Sequence, residues 1–318
     1  MDLTPLELPA WLEFNAWRTG LTAHPVTARW NDGPAVRAVL YLDRRGRIRL
    51  PPNNPYLPVA FRSARQRSSG RTDEWLRAVA PLVEEMASRG VPSQVILPPD
   101  VDDVRPWTWR GFVVGVGYSY CLDLPFDPAG ADRGQRQGCE KAARAGMTVE
   151  RASDVQAVAG CLWETETRKG ISVGIQPAEL ATALHLLGPD SLRMYVCRGP
   201  SGDPASAIVV IHAPGARAIG WLAGTRTAYL AGGAGHLVWR YAFDDLASAG
   251  ATGIDLCGGN IESTGTFKAR WGAHLLPTFS LRSESPGERA AGLLLRLRLG
   301  GYRRARAAVG SVARRAAG

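Results

Sequence analysis

Apolar residues at helical spacing alternate along this chain with short apolar runs at strand spacing. Leu6 to Thr19 reads as a helix, with Leu12 and Trp17 among its apolar positions. Val36–Leu42 and Arg47–Leu50 read as two strands joined by the polar turn Asp43-Arg-Arg-Gly46. A proline-rich loop, Pro51 to Pro58, and a polar stretch ending at Gly70 follow. From Thr72 to Arg89 the apolar stripe Trp75, Val79, Leu82, Val83 and Met86 predicts a helix. Thr72 is its expected N-cap and Gly90 its stop. Val95–Leu97 closes this first stretch as a short strand.

The pattern then starts again. Gly111 to Leu124 is a long extended run, and Arg133 to Gly146 a basic helix-like segment. Ser153-Asp-Val-Gln156 has the form of a capping box opening a helix to Arg168, stopped near Gly170. Pro177, at a first helical position, opens another through Leu187. Leu192–Cys197, Ala205–His212 and Ala218–Ala223 read as strands. The glycine-rich loop Ala231–Gly235 feeds a helix, Leu237–Ser248, ended by Gly250. Strand Gly253–Leu256 and a Phe267-Lys268 segment finish the unit. Strands followed by helix and strand imply a mixed sheet, which excludes a simple doubly wound dinucleotide fold. No solenoid-type repeat is visible. The expectation is an α/β (α+β) chain with units at 1–108 and 109–282 and a tail at 283–318.

Composition narrows the class. A chain of 318 residues, 45% hydrophobic and 21% charged, can bury two ordinary globular cores. Met1-Asp-Leu-Thr-Pro-Leu-Glu-Leu has neither the cationic start nor the apolar run of a signal peptide. No apolar run approaches the roughly 20 residues a membrane span needs, so no membrane insertion is expected. Five cysteines stand without any C-x-x-C pair, so they read as buried, reduced thiols of a cytoplasmic protein, with no metal site. The charge is concentrated at one end. Eight arginines and one acid, Glu288, put +7 of the formal +9 into Pro286–Gly318. Tyr302, Ala305, Val309, Val312 and Ala316 recur there at helical spacing. Phosphate binding, contact with an anionic membrane surface, and a solvated basic helix all remain open for this tail.

Four segments follow one another in the chain: Cys121-Leu-Asp-Leu124, the Lys141-Ala-x-x-x-Gly146-x-x-Val149 passage, Thr165-Glu-Thr-Arg168-Lys-Gly170, and Phe267-Lys268 followed by Gly272. Their order resembles the Fem-family (FemABX) aminoacyltransferases. The resemblance covers about Trp109 to Arg282; residues 1–108 share only the expected architecture. It implies tandem GNAT-like (Gcn5-related N-acetyltransferase) domains, each a mixed sheet flanked by helices, with a degenerate first copy. It also implies that residues 283–318 return to pack on that first copy. The implied reaction moves an aminoacyl group from aminoacyl-tRNA to a small amine-bearing acceptor, in cell-wall peptide or peptide-metabolite synthesis. No cofactor is implied, and a monomer is expected.

The chemistry assigns roles to particular residues. Aminoacyl transfer needs a neutral amine, a stabilised oxyanion and a proton for the leaving hydroxyl. Lys268, between a strand end and Phe267, is the expected cation for the oxyanion or a substrate phosphate. Asp255, at the end of a strand, is expected to orient Lys268 or a turn. The resemblance puts Arg168 on acceptor phosphates, a role a guanidinium fills bidentately. Trp221, Phe267 and His236 are candidate substrate contacts, although core packing is the commoner role both for a tryptophan on a strand and for Phe267. Lys141, Arg144, Arg303, Arg304 and Arg306 are candidate tRNA contacts. An alternative is a GNAT N-acyltransferase using acyl-CoA or a carrier-bound acyl group. Tyr229-Leu-Ala-Gly232-Gly-Ala234 matches the glycine and alanine of a CoA pyrophosphate loop but lacks its leading Gln or Arg.

Overall fold

The computed structural model of the chain describes residues 3–29, 35–63, 65–170, 174–285 and 287–288. After a 3-10 turn at Pro5–Glu7, helix α1 spans Pro9–Thr19, with proline in its first turn and Gly20 in the left-handed conformation at its end. Strands β1 (Thr22–Arg29), β2 (Ala35–Leu42), β3 (Ile48–Arg49) and β4 (Val59–Phe61) form a small antiparallel sheet around β2. Helix α2 (Ser68–Arg89) lays Trp75, Val79, Leu82, Val83 and Met86 onto that sheet. It begins one turn before Thr72, with Arg67 as an N-cap that makes no side-chain bond. Once the amphipathic turns are formed, each added residue gains a hydrogen bond at little further cost, so the polar Ser68-Ser-Gly-Arg71 joins the helix.

Strand β5 (Val95–Leu97), helix α3 (Arg105–Trp109), strand β6 (Phe112–Asp123), helix α4 (Arg133–Arg144) and strand β7 (Thr148–Arg151) follow. Helices α5 (Val155–Lys169) and α6 (Pro177–Ser191) lead to strands β8 (Leu192–Arg198), β9 (Pro204–Ile211) and β10 (Arg217–Thr225). The short α7 (Thr227–Leu230), helix α8 (Ala234–Ser248), strand β11 (Gly253–Asp255), helix α9 (Glu262–Ala269) and strand β12 (His274–Ser283) complete the described chain. The cap of α5 is Asp154 rather than Ser153; its carboxylate accepts from the Ala157 N–H.

Strands β5 to β12 make one sheet in the order β5-β12-β6-β11-β10-β9-β8-β7. Its described pairs are antiparallel except β10 with β11. One face packs under α5, α6 and α1, where Trp11 and Phe14 join Val158, Leu162, Leu180 and Val209. The other packs under α8, with Val238, Phe243 and Leu246 against Tyr195, Ile208 and Val210. Three strands had no clear signature: β1, β4 and β12. β12 contains Pro277, which lacks a ladder donor. Pro277 lies beyond the end of β5, which pairs only Phe279–Leu281, so β12 is paired there on one side only and the missing N–H costs no ladder bond.

Candidate active site

The parallel pair β10–β11 runs in register from Arg217↔Gly253 to Ile219↔Asp255, and then the strands part. β10 continues to Thr225 along β9 through an irregularity between Gly220 and Leu222. The chain after β11 instead follows β6, with Leu256 N–H on Tyr120 C=O and Gly259 N–H on Tyr118 C=O. A V-shaped opening results, with the edge of β10 on one side and the Cys257-Gly258-Gly259 turn on the other. Helix α5 presses on β10 so closely that a Cβ on Gly224 would lie 2.8 Å from the Leu162 Cα. That contact brings Thr165 and Arg168 to the end of the β10 edge. Thr165 Oγ1 accepts from Thr225 N–H at 2.8 Å, and Arg168 Nη1 donates to Thr225 C=O at 2.9 Å and to Thr227 Oγ1 at 3.1 Å.

The opposite wall is built from Asp255. Its Oδ1 accepts from Ser119 Oγ at 2.5 Å and from Cys257 N–H at 2.7 Å, and this pins the turn. Cys257 carries a left-handed φ of 55°, a strained choice for a residue with a Cβ. The pinned turn offers Cys257 C=O and Gly258 C=O to Lys268 Nζ, at 2.5 and 3.4 Å. Burial holds the Lys268 ammonium below the ordinary lysine value; Cys257 and Asp255 oppose the shift and Lys169 adds to it. Burial also raises the Asp255 carboxyl above its usual range. The sequence places Lys268 beside a strand end, whereas it stands in the last turn of α9. The helix arises because Ile261 to Ala269 closes i→i−4 bonds such as Gly265 N–H to Ile261 C=O.

Lys169 belongs to this cleft too; it lies inside the Thr165–Gly170 segment, but no role is assigned to it from sequence. From the C-terminal end of α5 its Nζ donates to Thr264 Oγ1 at 3.2 Å, one turn before Lys268 on α9. Arg168, Lys169 and Lys268 therefore gather three cations, none in an ion pair among the described residues. Lys169 follows Arg168 directly at a helix end, so a dipole role and a site role read alike from sequence.

The glycine loop before α8 is covered by protein. A Cβ on Gly233 would fall 3.0 Å from the Gly138 carbonyl carbon and closer still to its oxygen; a Cβ on Gly138 would meet the His236 ring. Lys141 Nζ donates to Ala231 C=O at 2.7 Å. Thus α4 is seated on the loop through glycine contacts, and Lys141 is used in holding it. The Gly232 and Gly233 N–H groups bond back to Tyr229 and Leu230 C=O within the turn. His236 packs edge-on against Phe267, whose ring also meets Trp271, and burial lowers the histidine's pKa. His236 and Phe267 border an open depression of about 460 Å³ beside α9, on a different flank from Arg168.

Trp221 is engaged in packing. Its indole N–H donates to Asn53 C=O at 2.8 Å, and its ring stands edge-on to Trp11 and Phe14. Arg144 is exposed on α4 beside Glu140 at 3.8 Å. Arg303, Arg304 and Arg306 lie outside the described residues. All five cysteines are free thiols, with Cys121, Cys161 and Cys197 buried.

Residues 132–268 match the family described as Acetyltransferase (GNAT) domain. Among curated proteins no significant match is found. Several of the solved structures similar to this chain cover most of its length. FemX has a TM-score of 0.62 at 14% identity, over 88% of this chain and 92% of that one. The C-terminal domain of a putative lysylphosphatidylglycerol synthetase from Agrobacterium fabrum scores 0.53 at 13%, over 85% and 87%. L-PGS from Bacillus licheniformis scores 0.52 at 14%, over 90% and 95%. The fold is mixed α/β and GNAT-like, as the sequence implies, with the parting of β10 and β11 at its centre. No helix among the described residues is long and apolar enough to cross a membrane.

Proposed function

We propose that the chain transfers an aminoacyl group from aminoacyl-tRNA to the amine of a small acceptor. The neutral amine attacks the ester carbonyl and forms the C–N bond, and the carbonyl oxygen becomes an oxyanion; as the oxyanion collapses, the C–O bond to the ribose breaks and the ribose oxygen takes the proton that the amine nitrogen gives up. Lys268, held by Cys257 C=O on a turn pinned by Asp255, is a fixed cation for the oxyanion. Arg168 and Lys169 are the groups suited to an anionic part of the donor or acceptor.

The observation that carries this reading against a CoA donor is the seat of α4 on the Gly232–Gly233 loop. A CoA pyrophosphate needs those backbone N–H groups open to solvent. Here they bond within the turn, and α4 lies against the loop with basic side chains exposed on its outer surface. The match to an acetyltransferase domain favours the second reading, N-acyl transfer from CoA or a carrier.

A reconstituted reaction separates the two. With aminoacyl-tRNA as donor, product requires ATP, tRNA and a synthetase, and ribonuclease abolishes it. Turnover that resists ribonuclease, together with a CoA-dependent rise in melting temperature, would overturn the proposal.

A further inference from the structure

Between β3 and β4 the proline-rich loop Pro51–Pro58 is tied down at three points. The buried Asn54 side chain accepts from the Trp11 indole N–H at 2.8 Å and donates to Tyr56 C=O at 2.8 Å. Trp221 Nε1 donates to Asn53 C=O at 2.8 Å, and Leu57 N–H donates to Ile96 C=O at 2.7 Å. Asn53 holds a left-handed φ of 64°, a conformation asparagine takes more readily than other residues with a Cβ. The loop therefore has one place, and so does Tyr56. Its ring joins Trp11, Phe14 and Ile219 in one core, and its phenol hydrogen-bonds the Asp255 carboxyl and the Ser119 hydroxyl. Burial pushes the phenol well above the usual tyrosine value, so it keeps its proton and stays a donor.

Asp255 is the hub. A buried carboxyl keeps one orientation only when donors meet it from several sides. Ser119 Oγ and Cys257 N–H come from β6 and from the turn itself, whereas the Tyr56 phenol comes from the loop before β4. The Cys257 N–H bond matters most for chemistry, because it holds a residue with a strained φ of 55° in the turn whose Cys257 and Gly258 carbonyls seat Lys268. Without the phenol oxygen the carboxyl is free to turn, the Cys257 bond weakens, and the strained turn relaxes away from the ammonium. A misplacement of about 1 Å at a reacting centre costs up to about 10²-fold in rate.

We infer that Tyr56 is a positioning residue for Lys268: from the loop before β4 it clamps Asp255, and through the Cys257 turn it sets the place and the enclosure of the Lys268 ammonium. The catalytic consequence rests on the role of Lys268 proposed above; the mechanical coupling does not. Trp221 takes its part here as well, as the anchor that holds the loop at Asn53.

Lysine occurs in this chain at Lys141, Lys169 and Lys268 alone, so NMR of the full chain grown with isotopically labelled lysine gives signals that single Lys→Arg changes assign. Tyr56→Phe should raise the Lys268 titration midpoint by about half a unit or more, because opening the seat relieves the burial that lowers it; Lys141, on α4, is the control. A midpoint that stays or falls, even in a variant of lowered thermal stability, would overturn the inference. In the reconstituted transfer reaction Tyr56→Phe should lower kcat by about 10–10²-fold with KM little changed. In a Lys268→Ala background it should cost less than about twofold more, since the group it positions is gone. Equal losses in both backgrounds would show that Tyr56 acts elsewhere. A raised midpoint without product from aminoacyl-tRNA would leave the coupling standing and remove the transfer reaction. If Tyr56→Phe fails to fold, Trp221→Phe, which frees the loop at Asn53, should move the midpoint the same way, and an unmoved midpoint there would refute the coupling.

Discussion

Replacing Gly233 by alanine tests whether α4 is truly seated on the head of α8. Two costs apply. Gly233 has φ +86°, and a left-handed backbone disfavours an L-residue by about 1–2 kcal/mol. The new Cβ would also fall 3.0 Å from the Gly138 carbonyl carbon, where ordinary contacts run at 3.4–4 Å, and nearer still to the oxygen. A peptide group cannot rotate aside as a side chain does, so α4 must shift, straining the Lys141–Ala231 hydrogen bond. Overpacking of that kind adds about 1–3 kcal/mol. The expected loss is therefore about 2–5 kcal/mol, a large part of a typical domain's stability. Gly20→Ala is the internal control, since Gly20 has φ +67° with nothing within 4 Å of its added Cβ. It should show only the backbone cost. Urea and thermal unfolding of both variants against the unaltered chain give the difference, which isolates the α4 contact. If Gly233→Ala costs no more than Gly20→Ala, the loop is open, and the argument against a CoA pyrophosphate fails with it.

Three further outcomes are expected. Lys268→Ala should lower turnover by about 10²–10³ with little change in melting temperature. Because burial lowers its pKa, the charged form it requires is lost at a lower pH than for an exposed lysine, so activity should have an alkaline limb that Lys268→Arg removes. Burial also lowers the pKa of His212 and His236. The unfolded chain then takes up their protons first, so their stability contribution should hold above about pH 6.5 and fall away in acid; denaturation midpoints across that range check this. Neutralising Arg303, Arg304 and Arg306 should flatten the salt dependence of tRNA affinity by about one unit per lost phosphate contact; an unchanged slope would exclude the tail from tRNA binding.

Local chemistry fixed much of the architecture. The apolar stripe Trp75–Met86 needed only helical spacing to identify α2, and Gly20, Gly90 and Gly170 end helices in left-handed or extended turns reserved for glycine. The succession of β8, β9, β10, α8 and β11 followed from apolar runs and turn residues in the same way. Strand β12 was not legible, because a strand containing Pro277 exists only where β6 supplies its ladder. Lys169 was given no role within its segment and Arg217 lay in none; contacts made by distant segments, Thr264 and Asp100, give each its surroundings. The glycine loop marks the boundary most clearly. Paired glycines specify close approach of something to the backbone, whether an anion or another chain segment. Sequence determined that the approach occurs, and only packing decided that the occupant is α4, because Gly138 and Gly233, 95 residues apart, meet through contacts no local pattern encodes.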